Sequence, residues 1–180
     1  MEIIKIPAQR VQVLRGDADA TLEMLQAKLK ARIDVDEDGA VELSGEPVDE
    51  YFGKGVIKAI GRGFEPSVAL KLLQDEYGLN IIDLRDYARP EQMARIKGRI
   101  IGEEGKARMI IEKEAEVDLA IYGHTVGIIG KLEVLDVATT AVFKLIEGQP
   151  HSAVYFYLEK NRRRREEGDM RSRAGGMNRR

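Results

Sequence analysis

The sequence predicts an α+β fold built from two similar units in tandem, each ordered β-α-α-β-β-α, with an additional C-terminal helix and a basic tail. Three observations predict it. Residues 97 to 112 read as a helix, a tight turn at Gly102-Glu103-Glu104-Gly105 and a second helix, because apolar residues lead into the glycines and return at Met109, Ile110 and Ile111. Residues 116 to 130 then read as two strands joined at Tyr122-Gly123-His124. The same element order occurs upstream: Gly16 maps on Gly102 at a separation of 86, and Ala40–Gly45 maps on Thr125–Gly130 at 85, which is the mark of an internal repeat.

In chain order, Ile3 to Ile6 is a short strand ended by Pro7, and Ala8 to Leu14 a brief helix leading to Gly16-Asp17-Ala18-Asp19. Leu22, Leu25 and Leu29 at helical spacing predict a helix over 20–32. Ile33–Val35 and Val41–Leu43 make a hairpin around Asp36-Glu37-Asp38-Gly39, and Pro47 opens a helix to about Ile60. The connector Gly61-Arg62-Gly63-Phe64-Glu65-Pro66 leads into a short helix and lacks the composition of a flexible linker. Rigid packing of the two units is therefore expected, with Phe64, Leu70 and Leu73 either at the seam or completing the first core. Leu79–Leu84 starts the second unit, Pro90 opens its first helix, and a helix over 132–147 ends at Gly148 and Pro150. A further helix from Ser152 to about Glu166 precedes a tail expected to be disordered. The division is residues 1–76, 77–150 and 151–180.

The glycine turn carries the candidate chemistry. Gly102 and Gly105 accept backbone angles closed to other residues, and without Cβ atoms they let another molecule's backbone approach. The helix that follows turns its unpaired N–H groups and positive dipole end outward, which suits a phosphate. A P-loop is excluded, since it needs glycine at Ile100 and Ser or Thr at Ala107. Gly61-Arg62-Gly63 begins like a dinucleotide fingerprint but ends in proline after a helical pattern.

Composition narrows the rest. With 180 residues, 43% of them hydrophobic, the chain can bury a core. It has no cysteine and only His124 and His151, so no thiolate metal site or histidine cluster is expected, and no cofactor. No apolar run reaches membrane-spanning length, and a soluble, cytoplasmic protein is expected. The net charge of −2 conceals a polarity: residues 160–180 carry nine cations and three acids, a net +6, which leaves −8 on the remainder. An acidic body argues for a local binding groove, a basic tail or both, rather than broad attraction to duplex. Asp34, Asp36, Asp38 and Gly39 begin like a calcium loop, but Glu42 comes too early to close one. No catalytic constellation is visible, and an enzyme is not expected.

Helix, Gly-x-x-Gly, helix, hairpin and helix resembles the KH domain, whose loop clamps single-stranded RNA by its backbone. The whole chain from residue 2 to about 160 then resembles two tandem type I KH domains packed together, of the kind found in archaeal proteins related to the partner-of-Nob-one, or Dim-two, ribosome-assembly family. The residues that carry this are the connector with Ala69-Leu70-Lys71-Leu72-Leu73, then Arg99-Ile100-Ile101-Gly102 through Gly105, and Tyr122-Gly123-His124-Thr125-Val126 with Ile129-Gly130. The resemblance implies a factor binding single-stranded 16S rRNA near its 3′ end. Its implied partners are an rRNA-processing endonuclease and the alpha subunit of translation initiation factor two; an adaptor role in translation initiation is the alternative.

Two departures qualify it. In the first loop Asp19 stands at the second glycine position and Asp17 lies inside, so that unit is read as degenerate. In the second, Glu103 and Glu104 occupy the middle of the loop. The candidate RNA-binding residues are Lys97, Arg99, Ile100, Ile101, Gly102, Glu103, Glu104, Gly105, Lys106, Arg108, Asp118 and Ala120. Lys97, Arg99, Lys106 and Arg108 flank the loop as phosphate contacts, and strand alternation puts Asp118 and Ala120 on the face opposite Leu119 as base-edge positions. An exposed strand face explains that pair equally well. His124 reads as a turn residue; Tyr155, Phe156 and Tyr157 either stack on bases or pack, and Arg162 to Arg165 either bind RNA or end a solvated helix.

Overall fold

Short apolar strands within residues 2–44 and 77–131 build two three-stranded antiparallel sheets, and helices close one face of each. A computed structural model describes residues 2–176. In the first half, β1 (Glu2–Lys5), α1 (Ala8–Arg15), α2 (Ala20–Leu29), β2 (Arg32–Val35), β3 (Ala40–Ser44) and α3 (Pro47–Gly61) follow in order. The sheet runs β1-β3-β2, with Ile4 opposite Val41 and Ile33 opposite Leu43. After α4 (Pro66–Ala69) the second half repeats the sequence of elements: β4 (Tyr77–Asp83), α5 (Pro90–Ile101), α6 (Lys106–Ala115), β5 (Val117–Tyr122), β6 (Thr125–Lys131) and α7 (Leu132–Ile146). Its sheet runs β4-β6-β5, the same topology. The helix expected over 20–32 stops at Leu29, where Lys30 turns left-handed (φ 52°), as Glu116 does after α6 (φ 56°).

The second sheet is covered on both faces, which is why β6 reads as a nearly unbroken apolar run. Val126 and Ile128 point to a core shared with Leu119, Ile100, Ile111, Leu135 and Val142. Ile129 and Ala120 point the other way, into the core of the first half with Phe64, Ile60 and Leu72. Phe64 lies against Gly127, where a Cβ would sit 2.6 Å from its ring. Phe64 is thus at the seam and in the first core at once, and Leu70 and Leu73 pack beside it.

The last helix, α8 (His151–Gly176), packs Val154 and Leu158 into the second core. It runs ten residues beyond the expected end at Glu166, into the stretch expected to be a disordered tail. Pairs one turn apart support it as far as Glu166, Glu159 with Arg163 (2.6 Å) and Arg162 with Glu166 (3.6 Å). Residues 177–180 of the expected tail lie outside the described residues. Among the described residues no helix is long and apolar enough to cross a membrane, and no group of three His, Cys, Asp or Glu side chains is placed to hold a metal ion.

Candidate nucleic-acid interface

The loop between α5 and α6 takes the conformation its two glycines permit. Gly102 (φ 76°, ψ 173°) leaves α5 in an extended form, Glu104 is left-handed (φ 52°, ψ 29°), and Gly105 (φ 75°, ψ 12°) starts α6. No side chain caps that start; Gly105 N–H turns back to Gly102 O (3.2 Å) and Lys106 N–H to Glu103 O, so what α6 offers an anion is the positive end of its dipole behind an open glycine. A Cβ on Gly105 would meet nothing within 4 Å, whereas one on Gly102 would lie 2.6 Å from the Ala107 nitrogen. The open approach is therefore at Gly105, and Gly102 is required by the fold.

The first loop has the same shape with different chemistry. Gly16 (φ 71°, ψ −171°), Ala18 (φ 48°, ψ 40°) and Asp19 (φ 62°, ψ 13°) match Gly102, Glu104 and Gly105. The hydrogen bonds repeat too: Gly16 N–H donates to Gln12 O and Gly102 N–H to Gly98 O, both at 2.8 Å. Where the second loop is open, Asp19 adds a carboxylate, and Arg15 pairs with it at 3.2 Å. The carboxylate does not cap α2, but it sets negative charge beside the place where a phosphate would approach.

Beside the second loop, β5 is an edge strand. Leu119 N–H points outward to Glu112 Oε1 (2.9 Å), so by the alternation of an antiparallel ladder Ile121 also turns its peptide groups outward. A cleft of about 300 Å³ lies there, with Arg108 and Glu112 of α6 on one side, residues 118–122 as floor and residues 63–65 with Val68 on the other side. Arg108 lies 3.4 Å from Glu112. The turn between β5 and β6 is tied to the end of β4, since His124 Nδ1 is 3.1 Å from Asp83 Oδ1. Arg85 donates to the same carboxylate at 2.6 Å and, with the nearby His124, holds Asp83 well below the usual carboxylate range.

Lys106 and Arg108 are exposed beside the loop, Glu103 and Glu104 are exposed within it, and Lys97 and Ile101 are half-buried at the end of α5. Four residues stand elsewhere than expected. Ile100 is fully buried and belongs to the core. Arg99 turns away from the loop, donating from Nε to Leu145 O (3.1 Å) and from Nη2 to Gln149 O, so it serves the end of α7 instead of a phosphate. His151 Nε2 lies 2.8 Å from Arg99 O, which fixes the base of α8 to the end of α5. Ala120 is buried in the first half's core and Asp118 pairs with Lys71 at 2.5 Å. Alternation put those two on the correct face, but the first half buries Ala120 there, and Asp118, though it lines the cleft, is engaged by Lys71.

Two contributors escaped the sequence. Glu112 occupies the β5 edge, and residues 63–65 with Val68 line the cleft; their pattern signalled a glycine turn, a short helix and a place at the seam or in the first core, but no wall of a groove. In the last helix Arg162 pairs with Glu114 (3.1 Å), and Arg165 donates to Glu114 O (3.2 Å), whereas Arg164, Arg171 and Arg173 are exposed. Phe156 is 67% exposed, Tyr157 packs under Lys144, and burial pushes the Tyr155 hydroxyl up.

A sheet ordered β4-β6-β5, two helices joined by Gly-x-x-Gly on one face and an open β5 edge define a KH-type fold, and the family model described as the eukaryotic type KH-domain (KH-domain type I) matches residues 78–163. A KH domain-containing protein of Methanocaldococcus jannaschii is 39% identical over 170 residues, covering 91% of this chain and 75% of that one. The chain belongs to the Dim2/PNO1 family. The pre-rRNA-processing protein pno1 of Aspergillus fumigatus is 32% identical over 112 residues, 60% of this chain and 44% of its own length. A chain in the crystal structure of an a/eIF2alpha–aDim2p–rRNA complex from Pyrococcus horikoshii matches with a TM-score of 0.84 at 36% identity, over 90% of this chain and 93% of that chain.

Proposed function

We infer that this protein is a non-catalytic RNA-binding factor of small-subunit assembly, which holds single-stranded 16S rRNA near its 3′ end while a separate endonuclease processes the precursor. The observation that carries the reading is the loop ending at Gly105: an uncapped helix start, open to close backbone approach, beside an edge strand and a cleft. Residues 77–150 act as the RNA-binding KH unit. Residues 1–76 act as a degenerate KH unit, since Asp17 and Asp19 set two carboxylates where the other loop would receive a phosphate. Lys106 and Arg108 assist the clamp, and the exposed arginines of α8 add affinity without fixed register.

The relatives lend support at two levels. Fungal relatives are pre-rRNA-processing proteins, and the matched Pyrococcus complex holds aDim2p with both rRNA and a/eIF2alpha. That second component favours a further reading, an adaptor that also binds the initiation factor two alpha subunit. Crosslinking in cells followed by sequencing of the bound RNA separates the two. Recovery of the 16S rRNA 3′ region supports assembly; co-purification of the initiation factor without that RNA supports the adaptor and removes the first reading.

A further inference from the structure

The cleft beside the glycine loop is not made by the second half alone. Its far wall is the connector, Gly63 to Glu65 with Val68, which stands across from Arg108 and Glu112. Gly63 (φ 105°) lies so close to β5 that a Cβ there would be 2.8 Å from Tyr122 Cβ. Arg10, on α1 of the first half, fastens this wall. Its Nε donates to Ile60 O (2.8 Å) and its Nη2 to Phe64 O (2.6 Å), which secures the end of α3 and the start of the connector. Its guanidinium also sits 5.7 Å from the centre of the Tyr122 ring, and Tyr122 Oη donates to the neighbouring Gln9 Oε1 (3.0 Å). One side chain therefore joins the first half, the connector and the floor of the cleft.

We propose that the connector is one wall of the RNA groove, touching the bound strand through Val68 and Glu65, and that Arg10 is the positioning residue that sets its distance from α6. This rests on the reading of the groove as the RNA site. The wall's chemistry says which part of the strand meets it. Val68 is half-buried and apolar, while Glu65 is exposed and can only accept hydrogen bonds. A carboxylate repels phosphate and accepts from amino groups, and Glu112 and Asp118 line the same cleft, so the bases enter the cleft, where Glu65 meets them, while the phosphates stay outside it at Gly105 and Lys106. The amino groups of adenine and cytosine are suitable donors; uracil has no amino group and offers only its ring N3–H. The first half thereby contributes to RNA binding through its connector and Arg10, and not through its own loop.

The test measures binding of fluorescent oligo(A), oligo(C) and oligo(U) RNA strands to the full chain across a salt series, with melting curves for every protein. Val68→Trp fills the cleft from the connector side and is expected to lower affinity for all three strands at least tenfold. Glu65→Ala is expected to reduce the preference for oligo(A) and oligo(C) over oligo(U) roughly fivefold, the value of one hydrogen bond. Arg10→Met is expected to weaken binding with an unchanged salt slope, because Arg10 holds protein carbonyls and neutralises no phosphate. Gly105→Asp is the control on the groove itself. If Gly105→Asp binds like the parent, the groove reading fails and the wall with it. If Gly105→Asp loses binding while folded Val68→Trp and Glu65→Ala proteins behave like the parent, the wall alone is overturned. A lower salt slope for Arg10→Met overturns its positioning role, and should that variant not fold, Val68→Trp and Glu65→Ala decide.

Discussion

Gly102 and Gly105 bound the same loop, yet side chains at the two positions meet different surroundings. The left-handed angles of Gly105 are those Asp19 adopts in the first loop, so aspartate is compatible with them. Gly105→Asp is expected to melt within a few degrees of the parent and to lose single-strand RNA binding, as titration with a labelled strand will show; retained binding would remove the loop from the site. Gly102→Asp drives a Cβ into the Ala107 nitrogen, and it is expected to cost about 2–4 kcal/mol of stability in urea unfolding, whatever its effect on RNA. Gly16 is matched in this, since a Cβ there would lie 2.1 Å from Thr21 Oγ1. Arg99→Met removes the donors that cap the end of α7, and a loss of about 1–2 kcal/mol with an unchanged salt slope of RNA binding is expected. A fall in that slope would return Arg99 to the phosphate-binding set.

Among the elements, α8 joins two parts with different tasks. Val154 and Leu158 are buried, and Arg162 and Arg165 hold the end of α6, so cutting at residue 161 would disturb the fold as well as the charge. Removal of residues 167–180 is the cleaner change. It takes away Arg171, Arg173, Arg179 and Arg180, and it is expected to leave the melting temperature unchanged while lowering the salt slope by about 0.7 for each phosphate that these arginines neutralise. An unchanged slope would mean that they neutralise no phosphate. Most elements were legible because their signals are local: Pro47 and Pro90 open helices, and Gly102 closes one. The length of α8 was not, because a run of arginine, serine and glycine with no apolar periodicity reads as a tail. Distance in sequence hid Arg99, whose partners are carbonyls 46 and 50 residues away.

At the scale of the molecule, three layers succeed one another: the helices of the second half, its sheet, and the first half laid on the sheet's other face. The alternation of β5 showed its two faces, but no local pattern states that Phe64 rests on Gly127. Gly127→Val tests the seam. Its branched side chain would overlap the Phe64 ring, and a loss of about 1–3 kcal/mol with a single cooperative transition is expected in calorimetry. Two separated transitions in the parent would mean that the halves unfold independently, against the shared core of Ala120, Ile129 and Phe64.

The shared core also imposes an order on synthesis. The first half is translated first, yet Phe64 finds Gly127 and Ile129 only after β6 has been made. Until then the nascent chain carries Phe64 and the half-buried Leu79 without their cover, a hydrophobic surface awaiting residues still inside the ribosome. A chain stalled before residue 125 is therefore expected to bind chaperones and to be cleaved readily by protease, and one released only after residue 166, with α7 and α8 in place to close the second core, to resist both.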